Sequence, residues 1–500
     1  MKSSTKKGPH EEMILASGKS SRSAADGTGY AAVKIQLEPM KNLIIPIFIL
    51  LVLAGCAVGP KYSRPETVET KTPEGYFQPV GNPDSISNLA WWDVYQDTVL
   101  RSLIQNAVDS NLNLLTAMAR VEEAQAILGY NKANMGPAIG YGASARASDF
   151  GDRAQEAGVG FNTNSYNVLG NISWEIDIWG KLRHANRAAY AELLASEENR
   201  KSIFISVIAQ VAELYFNLRG LDDRYRITER TYQTRLEYLR IINLRFEKGD
   251  VSELDKLQAE QIAADAKAGM YSLEREMIFV ENALGVLTGK TYSPIVRGLQ
   301  NDQQQLPLDI PTGLPSELLE RRPDIVQAEQ LLVAQTERIG VAVAMRFPSL
   351  SLTGFFGVAS PDISKLFVSG AVLGSVTGQL AGPLFQFGQN KRRVEAERAR
   401  AKQYAYNYEQ TILEAFAEVE NSLAEIRTYS NEYDARVEQV TATTKSLMLS
   451  KALYDNGYTS FLQVLDAERE LYYSEFEKSL ALQYQLTSTV RLYKALGGGW

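Results

Sequence analysis

Cysteine and histidine are all but missing from this chain: Cys56, His10 and His184 are the only three in 500 residues. That is too few for a structural zinc site or a Cys/His nucleophile pair. No phosphate-cradling glycine loop and no Gly-x-Ser-x-Gly elbow falls where a strand meets a helix. Carboxylates are plentiful, but they read as solvated helix faces rather than as an acid/base pair. His184, beside Lys181 and Arg183, reads as an exposed polar residue. Neither an enzyme nor a resident metal or cofactor is expected. Long basic runs are missing too, and with a formal charge of −7 the chain lacks the electrostatic footprint of nucleic-acid binding. What is present is folding material, 45% hydrophobic and 22% charged residues, over a length that ordinarily makes about two to four domains.

The lone cysteine is informative through its neighbours. In "MKNLIIPIFILLVLAGCAVGPKY", Lys41 precedes an apolar run from Leu43 to Leu53, about the length of a signal-peptide core and too short for a transmembrane helix. Leu53-Ala54-Gly55-Cys56 resembles the bacterial lipobox, in which the cysteine thiol takes a diacylglyceryl group and becomes the new N-terminus. The other reading is a buried cysteine in an N-terminal helix. Ala57, rather than an aspartate, after the cysteine favours the outer membrane by the same resemblance. The signal is complete from Met40, so translation is expected to start there and the mature chain to begin at Cys56.

The chain repeats itself. "FEKGDVSELDKLQAE" from Phe246 returns 208 positions later as "YDNGYTSFLQVLDAE", and the same offset links Gly180 to Gly388 and Val211 to Val419. Before the intervening strand region the offset is 211, pairing Leu128-Gly129 with Ile339-Gly340 and Gly136-Pro137 with Phe347-Pro348. This is a tandem duplication. In each copy 69 positions without proline separate the glycines, Gly180 to Gly249 and Gly388 to Gly457. From Phe204 a seven-residue spacing lands on Val211, Leu218, Tyr225, Tyr232, Leu239 and Phe246, which predicts a helix of about 100 Å supercoiled on a partner. Gly249 and Gly457 suit the left-handed position that ends a helix, and Ser252 and Ser460 can cap the next, with Asp255 and Gln463 at capping-box spacing. Each break is expected to be a hairpin tip between antiparallel helices.

Ahead of each long helix the period changes to two. Tyr166, Val168, Ile172, Trp174 and Ile176 alternate with Asn167, Asn171, Ser173 and Glu175. Val372, Val376 and Leu380 alternate with Ser375, Thr377 and Gln379. This is the weak signature of outer-membrane barrel strands, although a half-buried soluble sheet reads alike. Four strands cannot close a barrel, so as barrel strands they require several chains to share one.

The expected organisation is a signal region at 1–55, a lipidated segment at 56–97, a first repeat at 98–290, a proline-rich linker at 291–323 and a second repeat at 324–500. Strands are expected about 138–148, 165–179, 349–357 and 371–385, and long helices about 180–248 and 388–456. The fold class is mostly α with a small β part, internally duplicated.

Cys56 with "GPKYSRP", Trp91-Trp92, "ARVEEAQA", "DIWGK", "LPSELLERRPDI", "FPSLSLTG" and the terminal "YKALGGGW" together resemble the TolC-like outer-membrane efflux proteins, in their lipid-anchored OprM/NodT-type branch. The resemblance implies a homotrimer with a shared twelve-stranded barrel above a periplasmic helical tunnel. It also implies a covalent lipid at Cys56, a periplasmic adaptor, and an inner-membrane transporter of the resistance-nodulation-division class. The adaptor would dock at Gly249, Asp250, Val251, Ser252 and Leu254 on one tip, and at Gly457, Tyr458, Thr459 and Ser460 on the other. Leu462 and Asp466 would form the periplasmic gate, while Gln463 stands where a second acidic ring would need an aspartate. An outlet for peptide or protein secretion and a lipid-anchored coiled-coil scaffold are the competing readings, and the sequence leaves the cargo open.

Overall fold

The computed structural model describes residues 57–65, 75–77, 90–149, 151–156, 158, 163–291, 294–304 and 315–498. Cys56, the expected signal region and part of the linker lie outside them. In chain order the elements are α1 (Trp91–Val94), α2 (Thr98–Ser110), α3 (Leu112–Ala133), β1 (Ala138–Ser148), α4 (Asp152–Glu156), β2 (Thr163–Ile176), α5 (Lys181–Glu247) and α6 (Glu253–Leu287). There follow α7 (Pro315–Arg321), α8 (Pro323–Ala344), β3 (Ser349–Ser360), β4 (Val372–Ala381), α9 (Gln389–Asp455) and α10 (Phe461–Ala495). Among the described residues no helix is long and apolar enough to cross a membrane.

The strands form one antiparallel sheet in the order β1-β2-β3-β4. Two of them end earlier than alternation alone predicts. β2 stops at Ile176 because the Asp177 carboxylate accepts from the backbone N–H groups of Leu182 and Arg183 at 3.1 and 2.9 Å, capping α5 instead of extending the strand. β4 stops at Ala381, just before Gly382-Pro383, where proline has no N–H to donate.

Below the sheet the helices stand side by side in two tiers. α5 and α9, each of 67 residues, or about 100 Å, run through both. α3, α5, α8 and α9 neighbour one another in the tier next to the sheet, and α6, α5, α10 and α9 in the distal tier. Where the tiers meet, Tyr95, Ile104, Val211, Tyr215 and Val490 share one core, while Ile325, Tyr408, Val419 and Leu492 share another. Buried Asp97 ties this level together, accepting from Tyr215 Oη (2.7 Å), Leu299 N (2.8 Å), Gln304 Nε2 (3.0 Å) and Val99 N (2.8 Å). Burial alone would raise the Asp97 carboxyl, but these hydrogen bonds hold it below the usual carboxylate range.

The helical seam departs from the expected heptad. Val211 and Leu218 are buried, but Tyr225, Tyr232 and Leu239 are only half-buried and Phe246 is exposed. In the distal half the buried positions of α5 are Leu221, Arg224, Thr228, Thr231, Arg235 and Ile242, at spacings of three and four up to Arg235 and of seven at the last step. This seam is largely polar, so a search for apolar periodicity passes over it. Its charges are satisfied from α10: Arg224 Nη1 donates to Gln483 at 2.9 Å, and Arg235 Nε to Glu468 at 3.2 Å.

His184 is buried rather than exposed. It is 4% exposed, with Nδ1 hydrogen-bonded to Glu337 of α8 and its ring against Gly340 and Gly59. Its partner lies 153 positions away in sequence, so local composition gave no hint of burial.

Candidate functional site

Strand register turns the alternation into two chemically distinct faces. Ile139 pairs with Ile172, Ile172 with Gly354 and Gly354 with Val376, so these residues lie in one row with Tyr141, Val168 and Leu380 on the same face. Ser144, Arg146, Asn167, Asn171, Thr377 and Gln379 occupy the opposite face, where Asn167 Nδ2 donates to Ser144 Oγ at 2.8 Å. The apolar face presents aliphatic and aromatic side chains outward, and the polar face can line water. Neither β1 nor β4 has a strand on its outer edge among the described residues, and an open edge is not stable in lipid.

At the junction of sheet and helices, Trp179 stacks on Phe347 with centroids 4.7 Å apart and donates from Nε1 to Pro348 O at 2.7 Å. The segment following Cys56 is fixed here. A Cβ on Gly180 would lie 2.9 Å from Ala57 Cβ, and Val58 N donates to Trp179 O at 3.1 Å. Further along, Glu329 accepts from Tyr62 Oη at 2.8 Å and from both Nε and Nη2 of Arg64 at 3.0 and 2.9 Å.

The far ends of the helices are two tips built alike. Gly249 N donates to Phe246 O and Asp250 N to Arg245 O, both at 2.9 Å; Gly457 and Tyr458 repeat this with Tyr454 and Leu453, again at 2.9 Å. These paired bonds satisfy the last carbonyls of α5 and α9, and they require the left-handed φ of +79° at Gly249 and +77° at Gly457. Ser252 forms a full capping box with Asp255. Ser460 does not: it is the N-cap of α10 but its hydroxyl makes no capping bond, and the Gln463 carboxamide accepts from Thr459 instead. Asp250, Ser252, Leu254, Tyr458 and Ser460 are exposed, while Val251 and Thr459 are half-buried.

Leu462, 50% exposed, and Asp466, whose side chain is 51% exposed, share the solvent face of α10. On the other face Phe461, Val464 and Leu465 pack with Ile242 and Ala259 of the first hairpin and Leu447 of α9. Asp466 pairs with Arg469 at 3.0 Å, so part of its charge is compensated. Sequence reasoning passed over this apolar tip core and the ties above it. Arg245 Nη1 donates to Tyr454 Oη at 2.8 Å, and the Arg235–Glu468 pair has side chains only 4% and 6% exposed. Burial pushes the Glu468 carboxyl upward against the pull of Arg235 and Lys451. The available signal was Arg235 itself, seven residues from both Thr228 and Ile242.

A two-faced sheet with free edges, continued by paired helices of this length, defines an outer-membrane channel protomer. Residues 103–290 and 314–498 match the model of the outer membrane efflux protein family, and the chain belongs to that family. It is 32% identical to the toluene efflux pump outer membrane protein TtgC of Pseudomonas putida, across 92% of this chain and 96% of that protein. It is 30% identical to the cation efflux system protein CusC of Escherichia coli O157:H7, across 93% of this chain and 100% of that one. Among solved structures, the open state of the Neisseria gonorrhoeae MtrE outer membrane channel superimposes with a TM-score of 0.80 at 30% identity, covering 89% of this chain and 98% of that one.

Proposed function

We propose that this protein is the passive outer-membrane exit duct of a tripartite efflux pump for small molecules. Three copies close one twelve-stranded barrel and a helical tunnel beneath it, with no catalytic step. The single observation that carries this reading is the sheet with one apolar and one polar face and two unpaired edges, set on helices of about 100 Å. Its exposed glycine-bearing tips are the docking ends for a periplasmic adaptor, which joins the duct to an inner-membrane transporter of the resistance-nodulation-division class. Gly249, Asp250, Val251, Ser252 and Leu254 form one docking end, and Gly457, Tyr458, Thr459 and Ser460 the other. Leu462 and Asp466 form the constriction.

Cys56 carries the covalent lipid. Support comes from Ala57 and Val58, held at the sheet–helix junction beside Trp179, the level at which acyl chains would enter the inner leaflet. One relative is named for toluene and another for cations, so cargo is selected upstream of the duct.

The deciding experiment is ion conductance of the purified lipidated protein in a planar bilayer, wild type against a Leu462→Ala, Asp466→Ala double variant. Small, cation-favouring steps that grow in the variant support the duct and its constriction. No steps from a folded, inserted oligomer of either form would remove the duct reading.

A further inference from the structure

At the level where the two helical tiers meet, a groove of about 560 Å³ lies over α5, between α6 and α10. That volume falls in the range of small-molecule sites. Gln210, Glu213, Leu214 and Asn217 of α5 form its floor. Ala283, Val286 and Leu287 of α6 make one wall, and Tyr484, Thr487 and Arg491 of α10 the other.

Helix periodicity decides which way the groove opens. Val211, Tyr215 and Leu218 of α5 share a core with Trp91 of α1 and Ile104 of α2. On that same side Arg219 Nε donates to Leu299 O at 3.0 Å and Asp222 pairs with Arg297 at 3.1 Å, which holds the linker. The floor residues leave α5 on the side turned away from these contacts. A tunnel has room for α1, α2 and the linker only on its outer wall, so the groove opens into the lumen.

The distal end of the groove is closed by Gln483, whose carboxamide oxygen accepts from Arg224 Nη1 at 2.9 Å. This side chain lies so close to α5 that a Cβ on Gly220 would sit 2.5 Å from its Oε1. Glycine weakens a helix interior, and here it is what admits Gln483.

Charge and shape converge on one kind of occupant. Arg491 lies between two carboxylates, with Nε 3.5 Å from Glu213 Oε1 and Nη1 3.1 Å from Glu425 Oε2, so one cation serves two acids. Burial pushes the Glu213 carboxyl above its ordinary range against the pull of Arg491 and Lys494, which marks an anion that its neighbours do not fully compensate. Beside it the surface is apolar, with Leu214, Ala283 and Leu287 facing Tyr484, whose ring leans on Tyr429 with centroids 5.2 Å apart. The geometry points to a binding site for lipophilic organic cations on the tunnel wall, with the positive centre at Glu213 and an aromatic or aliphatic body against Leu214, Leu287 and the Tyr484 ring. The site rests on the duct reading above for its place in the lumen, and adds the class of molecule that dwells there.

The test uses the full-length oligomer in phosphatidylcholine nanodiscs, with ethidium as a cationic probe and fluorescein as an anionic one, both read by fluorescence anisotropy against empty discs. Ethidium should bind saturably and at least about tenfold more tightly than fluorescein, and Glu213→Gln should weaken it about tenfold by removing the charged partner. Ala283→Trp fills the groove and leaves every charge in place; it should weaken ethidium to a similar extent, and it decides alone if Glu213→Gln fails to assemble. Ethidium held as tightly by an assembled variant as by wild type, or fluorescein held as tightly as ethidium, overturns the site. Its place in the lumen is read in planar bilayers, where treating Asn217→Cys with a methanethiosulfonate reagent should shift the single-channel current. Ethidium at about five times its Kd should slow that shift about sixfold. A conducting protein whose current does not shift puts the groove outside the lumen and overturns that placement. A protein that does not conduct removes the duct reading instead, while the ethidium measurements still decide the site.

Discussion

Removing one member of the Arg235–Glu468 pair should loosen the tip from its base. The two side chains are nearly dry, Nε of Arg235 lies 3.2 Å from Glu468 Oε2, and Nη1 donates to Ile262 O at 2.9 Å, so one guanidinium ties α5 to both α10 and α6. Glu468→Gln removes the negative charge and leaves the cation the Ile262 carbonyl, the face of the Tyr472 ring at 5.6 Å and the exposed carboxylate of Asp265 at 3.6 Å. A buried charge stripped of its partner costs about 3–5 kcal/mol. At the lower end, about 3 kcal/mol of local opening energy accelerates amide exchange roughly 100-fold. The assay is hydrogen exchange of the full-length protein at pH 7, followed over residues 461–472 and 255–266, with residues 486–493 as an internal reference that should not change. Arg235→Met with Glu468→Met, which removes both charges and keeps the bulk, should return exchange to within about fivefold of wild type. Exchange within about threefold of wild type in Glu468→Gln would refute the reasoning, because the pair would then carry none of the tip's local stability. Because burial raises the Glu468 carboxyl, the folded tip binds that proton more tightly than the unfolded chain does. Its contribution to stability therefore falls as pH rises from the ordinary carboxylate range to the raised value, and is level above it.

Asp97→Asn should cost about 1–3 kcal/mol by weakening the bonds from Tyr215, Leu299 and Gln304, read as a lower thermal midpoint. The depressed carboxyl of Asp97 supplies stability above the ordinary carboxylate range that is lost as pH falls through its folded value, so wild type should lose midpoint more steeply than Asn between neutral and acid pH. Gly457→Ala should cost about 1–2 kcal/mol at its left-handed φ, seen as faster exchange confined to the second tip. Gly457→Glu should abolish efflux while leaving the oligomer in the membrane, and normal drug resistance in that variant would count against adaptor docking at this tip. Gly340→Val should lower the midpoint by the equivalent of about 1–3 kcal/mol, because a Cβ there would sit 2.6 Å from the His184 ring; an unchanged midpoint would mean that α8 and the His184 ring move apart freely.

The strands and tips were legible because the physics that makes them is local. Alternation at Tyr166 to Ile176 is dictated by the pleat, and Gly249 and Gly457 by a backbone conformation only glycine adopts cheaply. Strand ends were less so, since a side-chain cap at Asp177 competes with one more rung of the ladder. The distal seam was hidden because Thr228, Thr231 and Arg235 carry none of the apolar pattern that periodicity detects; Thr228 and Arg235 meet Tyr472 and Glu468 of α10, more than 200 positions away. His184 failed for the same reason. At Ser460 the spacing to Gln463 was right, but Thr459 took the side chain first.

The two copies differ in length only where the strands turn back, positions 149–162 in the first and 361–371 in the second. Both tips keep their count, and α3, α5 and α6 are as long as α8, α9 and α10. Length can therefore change at the ends of the hairpins farthest from the helices without shifting the strand pairing or the paired helices. An epitope tag grafted there would mark the cell surface, whereas the same residues added anywhere in the helical tiers would put one copy out of step with its neighbour.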